Sequence, residues 1–91
     1  LLDFEWDEGN IEDIALHGVT PEDAEYVLLH PTLDVGYEDW HGEERYAEVG
    51  ATASGRILLV WTTWRGDRIR VVTAFDAPKQ DASAYLRMAT R

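Results

Sequence analysis

Arginines dominate the chemistry available to this 91-residue chain, supplying seven of its eight basic side chains. Arg65, Arg68 and Arg70 lie within one short stretch, and the period-2 geometry of a strand would turn Arg68 and Arg70 to the same face. A guanidinium offers a planar fork of donors that fits a phosphate, so one phosphate could meet both. Acid–base candidates accompany them. His17 precedes a glycine at the expected end of a helix, where the dipole favours a cation and suits a general acid. Glu43 and Glu44, with Glu48 further along, precede or sit on a strand and could supply a base. Each has a plainer structural reading: ion pairs between the arginines and acidic residues, a capping histidine, and a solvated acidic run.

The charge count constrains partners. Eight basic residues against 18 acidic ones leave a net charge of −10, which argues against a general nucleic-acid binder. The charges are unevenly placed. Residues 1–44 carry 14 acids and no Lys or Arg, whereas residues 45–91 carry all 8 basic residues and only 4 acids. With no cysteine, neither disulfide nor thiolate chemistry is available. Apolar residues make up 45% of the chain, enough for one packed core across residues 1–91. The longest apolar run, Ile57 to Trp61, is far short of a bilayer span, and no basic-then-apolar leader opens the chain, so a cytoplasmic location is expected. His30, His41, Glu43 and Glu44 match no tight metal-ligand spacing, and no phosphate-cradling glycine loop occurs; no metal or cofactor is expected.

The elements that must position these residues follow from periodicity and punctuation. Asp3 to Trp6 alternates as a short strand, and Asp7–Glu8–Gly9–Asn10 reads as a turn whose Asn10 caps a helix burying Ile11, Ile14 and Ala15. Thr20 as N-cap, Pro21 at the first helical position and Glu22–Asp23 start a second helix, which buries Ala24, Val27 and Leu28 and stops at His30–Pro31. Strands are predicted over Thr32–Tyr37, Arg45–Thr52, Arg56–Trp64 and Arg68–Phe75, the last two forming a hairpin across Arg65–Gly66–Asp67. A last helix follows Pro78, with Asp76 as its cap and Ala82, Tyr85, Leu86 and Ala89 on one face. The order β-α-α-β-β-β-β-α, with an antiparallel sheet, defines an α+β domain.

Five segments in this order resemble the BrnT family of toxins from bacterial type II toxin–antitoxin systems. They are Phe4–Glu5–Trp6–Asp7, His17–Gly18–Val19–Thr20, Glu22–Asp23–Ala24, Gly42–Glu43–Glu44–Arg45–Tyr46, and the hairpin from Gly55 to Ala74 ending in Arg65–Gly66–Asp67–Arg68–Ile69–Arg70–Val71–Val72. The resemblance implies a compact fold like that of the RelE ribonucleases. It also implies RNA cleavage that arrests growth, and neutralisation by a ribbon-helix-helix BrnA antitoxin through which operator DNA is bound.

Metal-independent RNA cleavage uses the adjacent 2′-hydroxyl as nucleophile, so a base, an acid and charge stabilisation must be supplied. In a cleavage reading Arg65 and Arg70 bind phosphate and His17 and Glu44 are the acid–base candidates, with Arg68 and Trp6 holding RNA, the latter by stacking on a base. The sequence departs from the family at three places. Leu16 stands where a basic residue usually precedes His–Gly, Phe75 stands where an arginine usually precedes the last helix, and Lys79–Gln80–Asp81–Ala82–Ser83 opens that helix with little positive charge. Arg56 or Arg87 could occupy the space of the missing arginine. These departures raise an alternative, a homologue without cleavage that binds antitoxin as a co-repressor. A further alternative is an interaction domain that shares only the fold.

Overall fold

A computed structural model describes residues 1–90. The elements run β1 (Phe4–Glu5), α1 (Glu8–Ala15), α2 (Pro21–Leu28), β2 (Leu33–Trp40), β3 (Glu43–Ala51), β4 (Ile57–Arg65), β5 (Arg68–Asp76) and α3 (Lys79–Ala89). The five strands form one sheet in the order β1-β5-β4-β3-β2. The α+β class and element order are as expected, with one difference in the sheet: β1 runs parallel to β5, and the other neighbours are antiparallel.

Helix starts follow capping chemistry, which corrects two expectations. The N-cap of α1 is Asp7, not Asn10. Asp7 has extended backbone and accepts from the Asn10 N–H, while the Asn10 side chain accepts from the Asp7 N–H, a reciprocal capping box. The expected turn at Glu8–Gly9 is thus the first turn of the helix. The buried stripe shifts with it: Ile14 and Asn10 are buried, whereas Ile11 and Ala15 are exposed. Asp76 does not cap α3 either. It ends β5 in an ion pair with Arg56 at 2.6 Å, and Pro78 takes the N-cap position without a side-chain bond. The Thr20 cap of α2 is as expected, closed by Asp23.

The strands of the first hairpin reach further than periodicity indicated. β2 continues to Trp40 and turns into β3 through His41 and Gly42, both at positive φ (50° and 86°), the two-residue geometry that matches sheet twist. Gly66, at φ 63°, serves the β4–β5 turn.

Two apolar clusters flank the sheet. Ile14, Val19, Ala24, Val27, Leu58, Val60, Val71 and Ala74 pack between the sheet and the α1–α2 pair, with Trp6 and Leu28 beside them. Ala47, Val49 and Leu59 lie on the other face, with Trp61, Phe75 and Tyr85 of α3 against them. Along β3 the faces alternate: Ala47 and Val49 face α3, and Gly50 faces α2. An added Cβ at Gly50 would stand 2.9 Å from Val27 Cγ1, so a side chain there has no room.

Asn10 ties the layers together. Its Nδ2 donates to the carbonyls of Glu5 (3.0 Å) and Val71 (3.1 Å), joining α1 to both parallel strands. Asn10→Ala should destabilise the fold by about 2–4 kcal/mol, since two carbonyls and the Asp7 N–H lose their partner. Denaturant unfolding measures this, and a change under 0.5 kcal/mol would contradict the role assigned to Asn10.

Candidate functional site

The turn end of the β4–β5 hairpin gathers the arginines, and the acidic first half of the chain meets them there. Arg70 donates to Glu5 at 3.1 Å and to Asp7 at 2.9 Å. Arg65 reaches Glu43 at 3.1 Å and Glu5 at 3.9 Å. Arg45 bonds Glu43 at 2.9 Å, approaches Glu38 at 3.8 Å, and lies 5.3 Å from the centre of the Trp40 ring. The result is an alternating ladder, Asp7–Arg70–Glu5–Arg65–Glu43–Arg45–Glu38. Arg68 stands beside it, donating to the Phe4 carbonyl at 2.6 Å, with its Nε 3.3 Å from Asp3 at ion-pair distance but outside hydrogen-bond geometry. β5 lies inside the sheet, flanked by β1 and β4, and β1 delivers the carboxylates to it.

The ladder perturbs its members in the directions expected of close pairs. The Asp7 carboxyl is held below its usual range, chiefly by the hydrogen bond from Arg70 and then by the Asn10 N–H. Glu43 is lowered, first by Arg45 and secondarily by Arg65. The Arg70 guanidinium is pushed up, most strongly by Asp7, with Glu5 contributing. The side chain of Arg70 is only 17% exposed, whereas Arg65 keeps 48% of its surface open.

An open cavity of about 470 Å³ adjoins Arg65 at this end of the sheet, lined also by Asp39, Glu43, Glu44, Tyr46 and Trp64. Glu44 is part of its lining. Its Oε2 accepts from the Tyr46 hydroxyl at 2.9 Å and its Oε1 from the Tyr37 hydroxyl at 3.3 Å. The Tyr46 phenol is pushed up, first by its hydrogen bond to the Glu44 carboxylate and then by burial. Tyr37 is pushed up by burial and then by the charge of Glu44. Both therefore keep their protons at neutral pH. Trp64, 53% exposed, is an open aromatic surface at the rim. A second cavity of about 320 Å³ holds Arg45, Arg65, Arg70 and Asp13, whose buried Oδ2 has no hydrogen-bond partner. Arg65 and Glu43 border both cavities, so their ion pair is the partition between them.

Of the residues nominated from the sequence, Arg65 and Glu44 share the larger cavity, and Arg70 joins Arg65 at the smaller one. His17 stands apart. Its ring lies edge-on to Phe75, 5.8 Å between centroids. Phase along the sheet separates it from the arginines: Phe75 pairs with Leu59, six residues from Arg65 on β4, about 20 Å at the rise of a strand. Trp6 is also elsewhere, donating from Nε1 to Glu25 at 2.7 Å and packing on the α1–α2 core. Arg56 lies beside His17. It donates to the carbonyls of His17 and Gly18, each at 2.7 Å, and pairs with Asp76, so it closes the end of α1. Tyr46 and Trp64 were missed in the sequence. The signal for Tyr46 was present, since Glu44 and Tyr46 are two apart on one strand and must share a face. No cluster of three or more His, Asp or Glu arranged to hold a metal ion occurs among the described residues. No helix among them is long and apolar enough to cross a membrane.

The molecule is a small α+β domain with arginine–carboxylate pairs and an acid–phenol cavity at one end of its sheet. Residues 6–81 match the family described as the ribonuclease toxin, BrnT, of type II toxin–antitoxin systems. The chain belongs to the BrnT toxin family, and an antitoxin is the partner that such membership implies. No curated protein matches the chain.

The lowered carboxyls, Asp7, Glu43 and also Asp76, which is held down chiefly by its hydrogen bond from Arg56, set a pH dependence. A carboxyl whose folded value lies below its unfolded value, about 4, contributes stability above that value and loses it as pH falls through the folded value. Stability should therefore stay level from neutrality to about pH 5 and drop below pH 4. In the triple variant Asp7→Asn, Glu43→Gln, Asp76→Asn it should start lower and drop less. Asn retains the helix cap at position 7. Thermal melts across pH check this; parallel acid limbs in the two proteins would contradict it.

Proposed function

We propose that this chain cleaves RNA at the open end of its sheet without a metal ion, and that the Glu44–Tyr46–Arg65 cavity does the chemistry. The observation that carries the reading is the 2.9 Å hydrogen bond from a protonated Tyr46 to Glu44 inside a cavity bordered by Arg65. Glu44 takes the proton from a ribose 2′-hydroxyl as its oxygen attacks the phosphorus. The bond to the 5′-oxygen breaks, and Tyr46 gives that oxygen its proton. The proton on Glu44 then returns along the existing hydrogen bond to the Tyr46 phenolate. A cyclic 2′,3′-phosphate and a 5′-hydroxyl result. Arg65 neutralises charge developing on the phosphoryl oxygens, and Trp64 offers a face for base stacking.

Arg70 and Arg68 reach RNA only by exchanging carboxylates for phosphates. Glu5 and Asp7 thus compete with substrate, and the growth arrest implied by the family depends on that exchange. The partner in this reading is a BrnA-like ribbon-helix-helix antitoxin, through which operator DNA is contacted, in the cytoplasm. A RelE-like arrangement of the sheet and helices belongs to the same proposal. His17 and Trp6, remote from the cavity, take no part in it.

One observation favours a second reading. Arg65, Arg68 and Arg70 each already contact a carboxylate. A chain whose phosphate binders are satisfied internally could serve as an antitoxin-binding co-repressor without cleavage.

End-labelled RNA separates the two. Glu44→Gln and Arg65→Ala should each lower the cleavage rate about 100-fold or more. His17→Ala should stay within twofold, and products should carry cyclic phosphate ends. RNA left intact by high concentrations of the wild-type chain would favour the co-repressor.

The salt dependence is a separate test. Three to four phosphate contacts on a single strand give a slope of log affinity against log salt of about −2 to −3. A slope near −6 would show a larger cationic surface than these arginines make.

A further inference from the structure

β2 is the one long strand whose outer edge has no neighbour in the sheet, since β1 at the other margin spans two residues and leads directly into α1. A free strand edge presents unpaired N–H and C=O groups and templates another strand unless something blocks it. Folded proteins block such edges with proline, lysine or bulges. Here the strand has a bulge between Asp34 and Gly36, and its charged side chains are all carboxylates, which deter only partners of the same sign. From Gly36 to Trp40 the register is regular and every residue is exposed. Five residues extend about 17 Å, an ordinary strand length.

The charges on this edge say what can pair with it. β2 carries Asp34, Glu38 and Asp39 and no cation, and it belongs to the half of the chain that lacks Lys and Arg altogether. A second copy would bring carboxylates against carboxylates, and like charges directly across a strand pair are destabilising. A phosphate backbone would meet the same repulsion. A cationic strand would gain from every one of these side chains. Asp39 already accepts from the Gly42 N–H at 2.7 Å and stays fixed at the turn, while Glu38 lies 3.8 Å from Arg45 and has capacity to spare. Tyr37 and Trp40, both more than half exposed, project to opposite faces and can cover alternate side chains of an incoming strand.

We propose that the outer edge of β2 is a docking site for an extended, arginine- or lysine-rich segment of a protein partner, which joins the sheet as a sixth strand. Backbone hydrogen bonds to Gly36–Trp40 supply the binding, and Asp34, Glu38 and Asp39 select positive charge. This surface does not depend on the nuclease reading. A chain made inactive by Arg65→Ala retains it.

The probe is a capped ten-residue peptide alternating arginine and valine, titrated into the full chain while backbone amide shifts are followed by NMR. Shifts should centre on residues 33–40. Asp34→Lys with Glu38→Lys should weaken binding at least tenfold, whereas Glu12→Lys with Glu22→Lys, on exposed helix positions, should change it less than threefold. Two further peptides are N-methylated at alternate residues, one on each edge. One of them should lose binding at least tenfold while the other keeps it, because only one edge of an added strand faces β2. Retention by both would mean that charge alone holds the peptide, and the proposal would fail. It would fail equally if shifts map to α1 or α2, if glutamate–valine peptide binds as well, or if sedimentation shows the wild-type chain pairing through β2 with its own copy.

Discussion

Everything at the candidate site depends on the pairing of the two halves of the chain across charge. The first half is purely acidic and the second carries every cation, so folding must bring opposite signs together or leave both exposed to their own repulsion. The parallel pairing of β1 with β5 resolves this locally. Its register sets Glu5 opposite Arg70, and the chain then turns at Asp7, whose Oδ1 caps α1 while both of its carboxylate oxygens accept from Arg70. One residue thus starts a helix and closes an ion ladder. Asn10, three residues on, secures both strands from the helix side.

The ladder also divides the sheet end into two unlike places. Arg65 and Glu43 form the partition. On one side Glu44 and the protonated Tyr46 line an open cavity. On the other, Arg45 and Arg70 line a smaller cavity with Asp13, whose buried Oδ2 has no hydrogen-bond partner. The arrangement reconciles a net charge of −10 with membership in a ribonuclease toxin family. The arginines do not project a field over the surface. Arg45, Arg65, Arg68 and Arg70 are each paired with a carboxylate, and Arg65, half exposed, is the most open of the four.

Much of the architecture was legible. The element order, the Thr20 cap, the hairpin at Arg65–Gly66–Asp67 and the alternating faces of β3 all follow from local rules of periodicity and turn chemistry. What was misplaced depended on competition between neighbours. Asp7 and Asn10 can each cap a helix, and the choice went to the residue whose extended backbone also follows from β1. Asp76 could have capped α3, but Arg56, just before β4, holds its carboxylate. β2 extends past Tyr37 because pairing with β3 stabilises residues whose own pattern, with Glu38 and Asp39 adjacent, is weak.

The site divides along the same line. By itself the sequence determined which residue types could do the work, because arginine spacing, a Glu–Arg–Tyr alternation and the charge division are properties of the string. Only the tertiary structure decided which of them meet. His17 and Trp6 belong to the same family signatures as Arg65, yet strand length carries His17 about 20 Å away and a hydrogen bond to Glu25 commits Trp6 to the core. Whether an arginine is free or paired depends on sheet order and register across more than 60 residues of chain, as with Glu5 and Arg70, and no local pattern records that distance.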